Sequence, residues 1–226
     1  MYKKTTIVSS HFNEELSWLV SQRDFDYRIY TKNIEKCKDF DQEKLFECIN
    51  KGNEASSYIS YIIDNYENLP DYVAFIHGHD HSYHQTDLTL NLIKDAFDSI
   101  NIENDYVYHS INRKDWRNIF GDDVDDWSGN WEILKESYAY LNIKIPMPKR
   151  LECTACAQFI VSRENILLND INDYKNILKW LESTHLESSI SGRVMEHLWC
   201  YIMTHDENES IQEIPTLAEV NYFEKK

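Results

Sequence analysis

Short β-branched or apolar runs alternating with amphipathic helices predict an α/β domain with a mainly parallel sheet flanked by helices. Three observations carry that expectation. The runs Thr5–Ser9, Asp26–Tyr30 and Tyr72–Ile76 read as strands, and the third is a near-continuous apolar run suited to a strand covered on both faces. The segments between them hold apolar residues at helical spacing. With 5 glycines and 4 prolines in 226 residues, no long flexible linker divides the chain, so residues 1–226 read as a single domain.

Element by element, Thr5–Ser9 leads into a helix-like stretch from His11 to Val20, where Leu16, Leu19 and Val20 share a face. Asp26–Tyr30 alternates as a strand does, and Lys44 to Asn50 reads as a short helix broken by Lys51-Gly-Asn-Glu54. From Ala55 to Tyr66 the residues Tyr58, Ile59, Ile62, Ile63 and Tyr66 recur at helical spacing, and Asn68-Leu-Pro-Asp71 stops the helix. The strand Tyr72–Ile76 follows, then an amphipathic helix over Leu88 to Ile100. Tyr106–Tyr108 is a further strand, and Asp115 to Trp131 is acidic, aromatic and irregular. Trp131 to Leu141 returns to helix, Cys153 to Ser162 to strand or a strand-like turn, and Asp173–Leu186 and Gly192–Met203 to helix. Alternating apolar residues in the tail 208–226 suit an edge strand.

The formal charge of −16, with 23 basic against 39 acidic residues and no basic stripe, disfavours polymeric nucleic acid as a partner and leaves room only for a local basic pocket for a small phosphorylated ligand. No stretch approaches the ~18 consecutive apolar residues of a membrane span, and the first residues lack the apolar core of a signal peptide. A cytoplasmic protein with reduced cysteines is expected. The spacing Cys153-x-x-Cys156 has no second pair to complete a four-thiolate zinc site.

Open parallel sheets bind ligands beyond the carboxyl ends of their strands. That places Ser10–Glu15, Tyr30–Asn33 and His77–His84 at one rim. The last of these, "FIHGHDHSYH" over residues 75–84, sets His77, His79 and His81 on one side of an extended segment. It is open to three readings: a metal site, a phosphate or sugar contact, or a polar turn without ligand. In the metal reading the candidates are His79, Asp80, His81 and His84. Acidic pairs also occur at Asp24/Asp26 and Asp39/Asp41, and more densely in "GDDVDDW" at 121–127, a candidate divalent-cation loop. No G-x-S-x-G elbow, P-loop or G-x-G-x-x-G fingerprint is present, which disfavours serine hydrolases, kinase-type nucleotide binding and dinucleotide oxidoreductases.

The run "GNEASSYISYIIDNYENLPDYVAFIHG" over residues 52–78 resembles a family of unknown function, domain family 3431. "CAQFIVSRENI" at 156–166, "SGRVMEHLWCYIM" at 191–203, and "HFNEELSWL" with "YTKN" near the start match it too. The layout of that family is similar to glycosyltransferases of the GT-A-like fold, a Rossmann-type domain that binds a nucleotide sugar. The resemblance implies a donor-binding half at 1–110 and an acceptor half at 111–226. It implies a nucleotide sugar and a carbohydrate or glycoconjugate acceptor as partners.

It also implies a divalent metal, Mn2+ or Mg2+ ahead of Zn2+. The acidic D-x-D pair of such enzymes is replaced in this chain by a loop whose one carboxylate is Asp80. The donor-side candidates are Asn13, Glu14, Lys32, Asn53, Glu54, His77, Gly78, His79 and Arg193. Asn53 is equally a candidate helix N-cap, and Glu14 and Glu54 are candidate first-turn residues. The acceptor-side candidates are Gln158, Arg163 and Trp199, with Ser162 alternatively a helix cap. Glu196, as general base, and Asp80 are the catalytic candidates; an Arg193–Glu196 pair within the helix is the structural alternative. A metal-dependent hydrolase built on His77–His84, or a non-catalytic sugar- or nucleotide-binding module, stands as the alternative function.

Overall fold

The computed structural model describes residues 4–100, 105–124 and 129–206. Four strands open the chain: β1 (Thr5–His11), β2 (Asp26–Thr31), β3 (Leu45–Glu47) and β4 (Tyr72–His77). They are followed by β5 (Tyr108–Ser110), β6 (Arg117–Gly121), β7 (Arg150–Thr154) and β8 (Phe159–Ser162). Six of them form one sheet in the order β3-β2-β1-β4-β8-β5. β1 pairs in parallel with β2 and β4, and β2 with β3, while β8 runs antiparallel to both β4 and β5. The domain is therefore mixed α/β with a mainly parallel sheet, as the alternation of patterns predicts. β6 and β7 make a separate antiparallel ribbon.

Alternation along the strands divides the core into two. Val8, Tyr30, Val73, Phe75, Phe159 and Val161 face one side. There they meet α2 (Ala55–Asn65), α4 (Asn130–Leu141), α6 (Ile171–Ser183) and α7 (Ser188–Thr204). Ile7, Ile29, Tyr72, Ala74, Ile76 and Ile160 face the other side, under α1 (Ser17–Ser21) and α3 (Thr89–Ser99). Each such side chain taken fully out of water contributes about 1.5–3 kcal/mol, so sheet and helices hold each other in one layered unit.

Four local expectations are corrected. The stretch 44–50 is not a helix: Leu45–Glu47 is the edge strand β3, and Phe46 stacks on its cross-strand neighbour Tyr30 at 5.1 Å. Cross-strand packing outweighs local spacing in so short a run. The helix expected from His11 shrinks to Ser17–Ser21, because the His11 ring contacts Thr31 Oγ1 at 2.9 Å and the Glu14 carbonyl at 3.2 Å, which fastens residues 11–14 into a loop.

The irregular stretch after 115 contains β6, whose partner β7 lies some thirty residues on and leaves no local signature. The strand expected over 153–162 is split into β7 and β8, with Cys156 (φ 74°) and Ala157 (φ 31°) at the break. The expected edge strand at 208–226 and residues 125–127 of "GDDVDDW" lie outside the described residues. No described helix is long and apolar enough to cross a membrane.

Candidate functional site

The chain runs outward through β1, β2 and β3, then crosses back over the sheet through α2 to β4 on the other side of β1. Strand order thus reverses between β1 and β4, and the crevice beyond their carboxyl ends is where such sheets bind ligands. Register brings the three expected rim segments together there: Ser10 is level with Tyr30 and His77, and His11 with Thr31.

A buried polar cluster fills the crevice. Lys32, just past β2, reaches back so that its ammonium donates to Ser10 Oγ at 2.8 Å and to Ser57 Oγ, on α2, at 3.0 Å. The two hydroxyls lie 2.9 Å apart, and Cys48 Sγ is 3.4 Å from Ser57 Oγ. Burial lowers the Lys32 pKa, while Cys48, Glu54 and Glu14 pull it back up. The amine is therefore a desolvated cation held by two neutral hydroxyls, a costly arrangement that an anionic ligand would relieve.

Glu54 occupies the N-cap position of α2, but its side chain makes no capping bond. Burial raises its pKa to about 7, against the pull of its own backbone N–H and of Lys32. Across from it stands His77, the last residue of β4, whose Nε2 is buried without a hydrogen-bond partner and 3.9 Å from Glu54 Oε2. Burial, then His79, depresses the His77 pKa to about 4, so the ring is neutral at physiological pH and the contact is not an ion pair. A buried ring nitrogen without a hydrogen-bond partner thus faces the Glu54 carboxyl.

Glu196 completes the site from α7. It accepts the Cys156 N–H at 2.6 Å, and its pKa is raised by burial and by the nearby Glu54 carboxylate. Gly78 and Glu14 form the outer wall. A Cβ on Gly78 would sit 2.8 Å from Glu14 Cβ, so only glycine lets the carboxylate side chain lie over the end of β4. Burial alone would raise the Glu14 pKa, but the N–H groups of Phe12 and Asn13 donate to Oε2 and hold it below the ordinary value. Asn13 accepts from Asn33 Nδ2 at 3.0 Å, tying the two loops together.

The chain matches a family model described as a protein of unknown function, DUF3431, over residues 6–217. It belongs to that family. No curated protein and no solved structure matches it.

Several sequence candidates sit elsewhere than the crevice. Asn53 does not cap α2: it is in the left-handed region at φ 50°, exposed, and its side chain occupies the space a Cβ on Gly192 of α7 would need. Arg193 is exposed on α7, where it lines a groove with Asn130, Ile133, Leu134 and Ile190. Trp199 is wholly buried, 5.7 Å from the rings of both Tyr58 and Phe159, so it supports the floor of the domain and presents no face to an acceptor.

Gln158 is likewise buried; its Oε1 accepts the His77 N–H at 3.0 Å and fixes the end of β4. Arg163 lies at the opposite end of the sheet, beside Asp71 and Glu164, because β8 runs against β4. Ser162 caps the short helix α5 (Arg163–Ile166) by accepting the Asn165 N–H.

His84 packs against His77, with ring centroids 5.7 Å apart, but the four metal candidates do not converge. His79 and His81 are exposed, and His84 is buried with Nδ1 2.9 Å from Asn112 Oδ1. Asp80 accepts the Thr89 N–H through its backbone carbonyl. Among the described residues no three His, Cys, Asp or Glu side chains converge as metal ligands. The set of His79, Asp80, His81 and His84 therefore does not fit a metal cage in this arrangement.

Ser10, Ser57 and Cys48 join the site without having been candidates from sequence. A signal exists for Ser57, since Ser56 and Ser57 interrupt the buried face of α2 and are themselves wholly buried.

Proposed function

We propose that this protein is a glycosyltransferase that binds a nucleotide sugar in the crevice between β1 and β4. One observation carries the reading. The desolvated Lys32 ammonium and the carboxyl pair Glu54 and Glu196 stand at the reversal of strand order in the sheet. The order β3-β2-β1-β4 supports a Rossmann-type, GT-A-like assignment, in which that reversal is the nucleotide site.

The roles follow from the chemistry of each group. Transfer of a glycosyl group leaves a nucleoside diphosphate, and the charge growing on its bridging oxygen needs a cation already in place. Lys32 supplies that cation from a position shielded by Ser10 and Ser57, whose hydroxyls add donors. The acceptor hydroxyl must lose its proton as the new glycosidic bond forms.

Burial raises Glu54 to about 7 and also raises Glu196, which the Glu54 carboxylate pushes up further, so Glu54 takes up that proton near neutral pH with Glu196 beside it. His77 stands 3.9 Å from the nearer carboxyl with its Nε2 open to a ligand, and Gln158 fixes its backbone. A divalent cation bound with the donor would add charge neutralisation at the diphosphate; Lys32, Glu54 and Glu196 play their parts with or without it.

Titration with UDP-, GDP-, CDP- and dTDP-linked sugars, read by melting temperature and calorimetry, tests the reading. One donor is expected to raise the melting temperature of the native protein. Lys32→Ala should weaken that donor roughly 10- to 100-fold, the usual scale for losing a charge-assisted bond to phosphate. Absence of any nucleotide-sugar response, or equal affinity in Lys32→Ala, overturns it.

A further inference from the structure

From His77 at the edge of the crevice, a run of aromatic rings leads outward to the surface. The His77 and His84 rings meet edge to face with centroids 5.7 Å apart. Tyr83 packs edge-on to His84 at 5.2 Å, and Trp116 edge-on to Tyr83 at 5.3 Å. Trp116 is also 6.4 Å from His84, closing the three rings into one cluster.

Tyr83 is 74% exposed, the most exposed of the large apolar and aromatic side chains described, and this exposure comes at the mouth of the polar crevice. The backbone beneath is fixed. Arg113 N–H donates to the His84 carbonyl at 2.9 Å, and Asn112 joins His84 to the carbonyls of Ala155 and Cys156. The platform is thus built from two distant chain segments, 83–84 and 116, locked together from below.

We propose that Tyr83 and Trp116 form the acceptor subsite and that its ligand is a neutral sugar ring stacked on the Tyr83 face. A pyranose offers an apolar C–H face to an aromatic ring and hydroxyls at its edge, so it suits a site where rings adjoin carboxylates. Asp80 lies in the same loop, and Asp115 is next to Trp116 with its carboxylate paired to Arg113. The Arg113 guanidinium beside the platform is already paired with Asp115, so recognition there falls to the rings. The ring contacts run from Tyr83 through His84 to His77, whose Nε2 lies 3.9 Å from Glu54 Oε2, so a glycan anchored on Tyr83 would extend along them towards the carboxyl pair. The subsite rests on the transferase reading for its role, but its ligand chemistry is measured separately.

The experiment uses the full chain labelled with fluorotryptophan, with the Trp116 signal assigned through Trp116→Phe. Methyl glycosides and malto-, cello- and chito-oligosaccharides are titrated by fluorine NMR, beside tetramethylammonium as a cation that aromatic rings also bind. One neutral glycan series is expected to shift the Trp116 signal saturably. Tyr83→Ala, a change at an exposed side chain, should weaken that series at least ~5-fold, while Lys32→Ala leaves it unchanged.

A Trp116 shift with tetramethylammonium alone, or with no probe, overturns the subsite. Loss of the nucleotide-sugar response with the glycan shift intact overturns the transferase reading and leaves the sugar platform standing. A nucleotide-sugar response with no glycan shift does the reverse.

Discussion

The two ends of the parallel strands are built from similar residue types and to opposite effect. At the carboxyl end, Lys32, Glu54, Glu196 and His77 are largely buried and displaced from their ordinary pKa values by that burial, and His77 Nε2 has no hydrogen-bond partner. At the amino end, Asp71 accepts the Lys4 N–H and lies 3.5 Å from Arg163, which also meets Glu164 at 3.1 Å. Those groups are partly solvated and paired at the surface. Burying charge without full pairing costs several kcal/mol per group, and a fold tolerates it where the ligand finishes the pairing. The comparison therefore separates a rim of buried, displaced charges, the candidate site, from a rim of solvated, paired ones.

The largest expected effect tests the chemical rim. Glu54→Gln and Glu196→Gln should each lower turnover at least ~100-fold, the scale of a lost general base, with donor affinity kept within a few-fold. Wild-type turnover should rise with pH through about 7, where Glu54 loses its proton. Stability runs the other way. The Glu54 carboxyl binds its proton more tightly when folded, about 7 against an ordinary 4.5, so the stabilisation is complete below 4.5 and lost as pH climbs through 7. Glu54→Gln should then gain roughly 1–3 kcal/mol on the wild type at pH 8, measured by urea melts, and little at pH 4. Equal stability at both pH values would contradict the burial of that charge.

A smaller effect probes the wall of the same rim. Gly78→Ala places a methyl 2.8 Å from Glu14 Cβ and 2.9 Å from Cγ. Glu14 must swing out and surrender the Phe12 and Asn13 N–H groups, costing about 1–3 kcal/mol as overpacking. The double variant Gly78→Ala, Glu14→Ala removes the colliding atoms beyond Cβ and should recover part of the loss. If the double variant melts below the single one, the close approach is not what glycine is there to permit.

Legibility differs between the fold and the site for a physical reason. Buried strands and amphipathic helices carry their own periodicity, so β1, β2, β4, α2 and α3 can be read from spacing, and with them the rim where a ligand belongs. The edge strand β3 and the ribbon β6–β7 cannot, because each is defined by a distant partner. Site residues suffer in the same way. Glu54 and His77 are legible as polar groups at element ends. Ser57 and Cys48 acquire meaning only through Lys32, and Trp199 and Gln158 look functional in a linear motif but serve packing beneath the crevice. The density of histidines in 77–84 misleads for a related reason: a polar loop folds its side chains to different environments, and neighbours in sequence part company.

The smallest effect is the one that guards the comparison. Arg163 reads as an acceptor-side residue because its sequence block belongs to the family, yet the antiparallel course of β8 carries it to the amino end of β4. Its guanidinium contacts two carboxylates at a partly exposed surface, and such pairs contribute ~0–1 kcal/mol. Its structural anchor is the backbone N–H donated to the Asp71 carbonyl at 3.0 Å, which a side-chain change leaves in place. Arg163→Ala should therefore alter the unfolding free energy by no more than about 0.5 kcal/mol and leave donor affinity, glycan binding and turnover at wild-type values. Because the side chain lies a full strand length from Glu54, a tenfold fall in turnover with an unchanged melt would mean that chemistry reaches the amino-terminal rim. The division between the two ends of the sheet would then have to be redrawn.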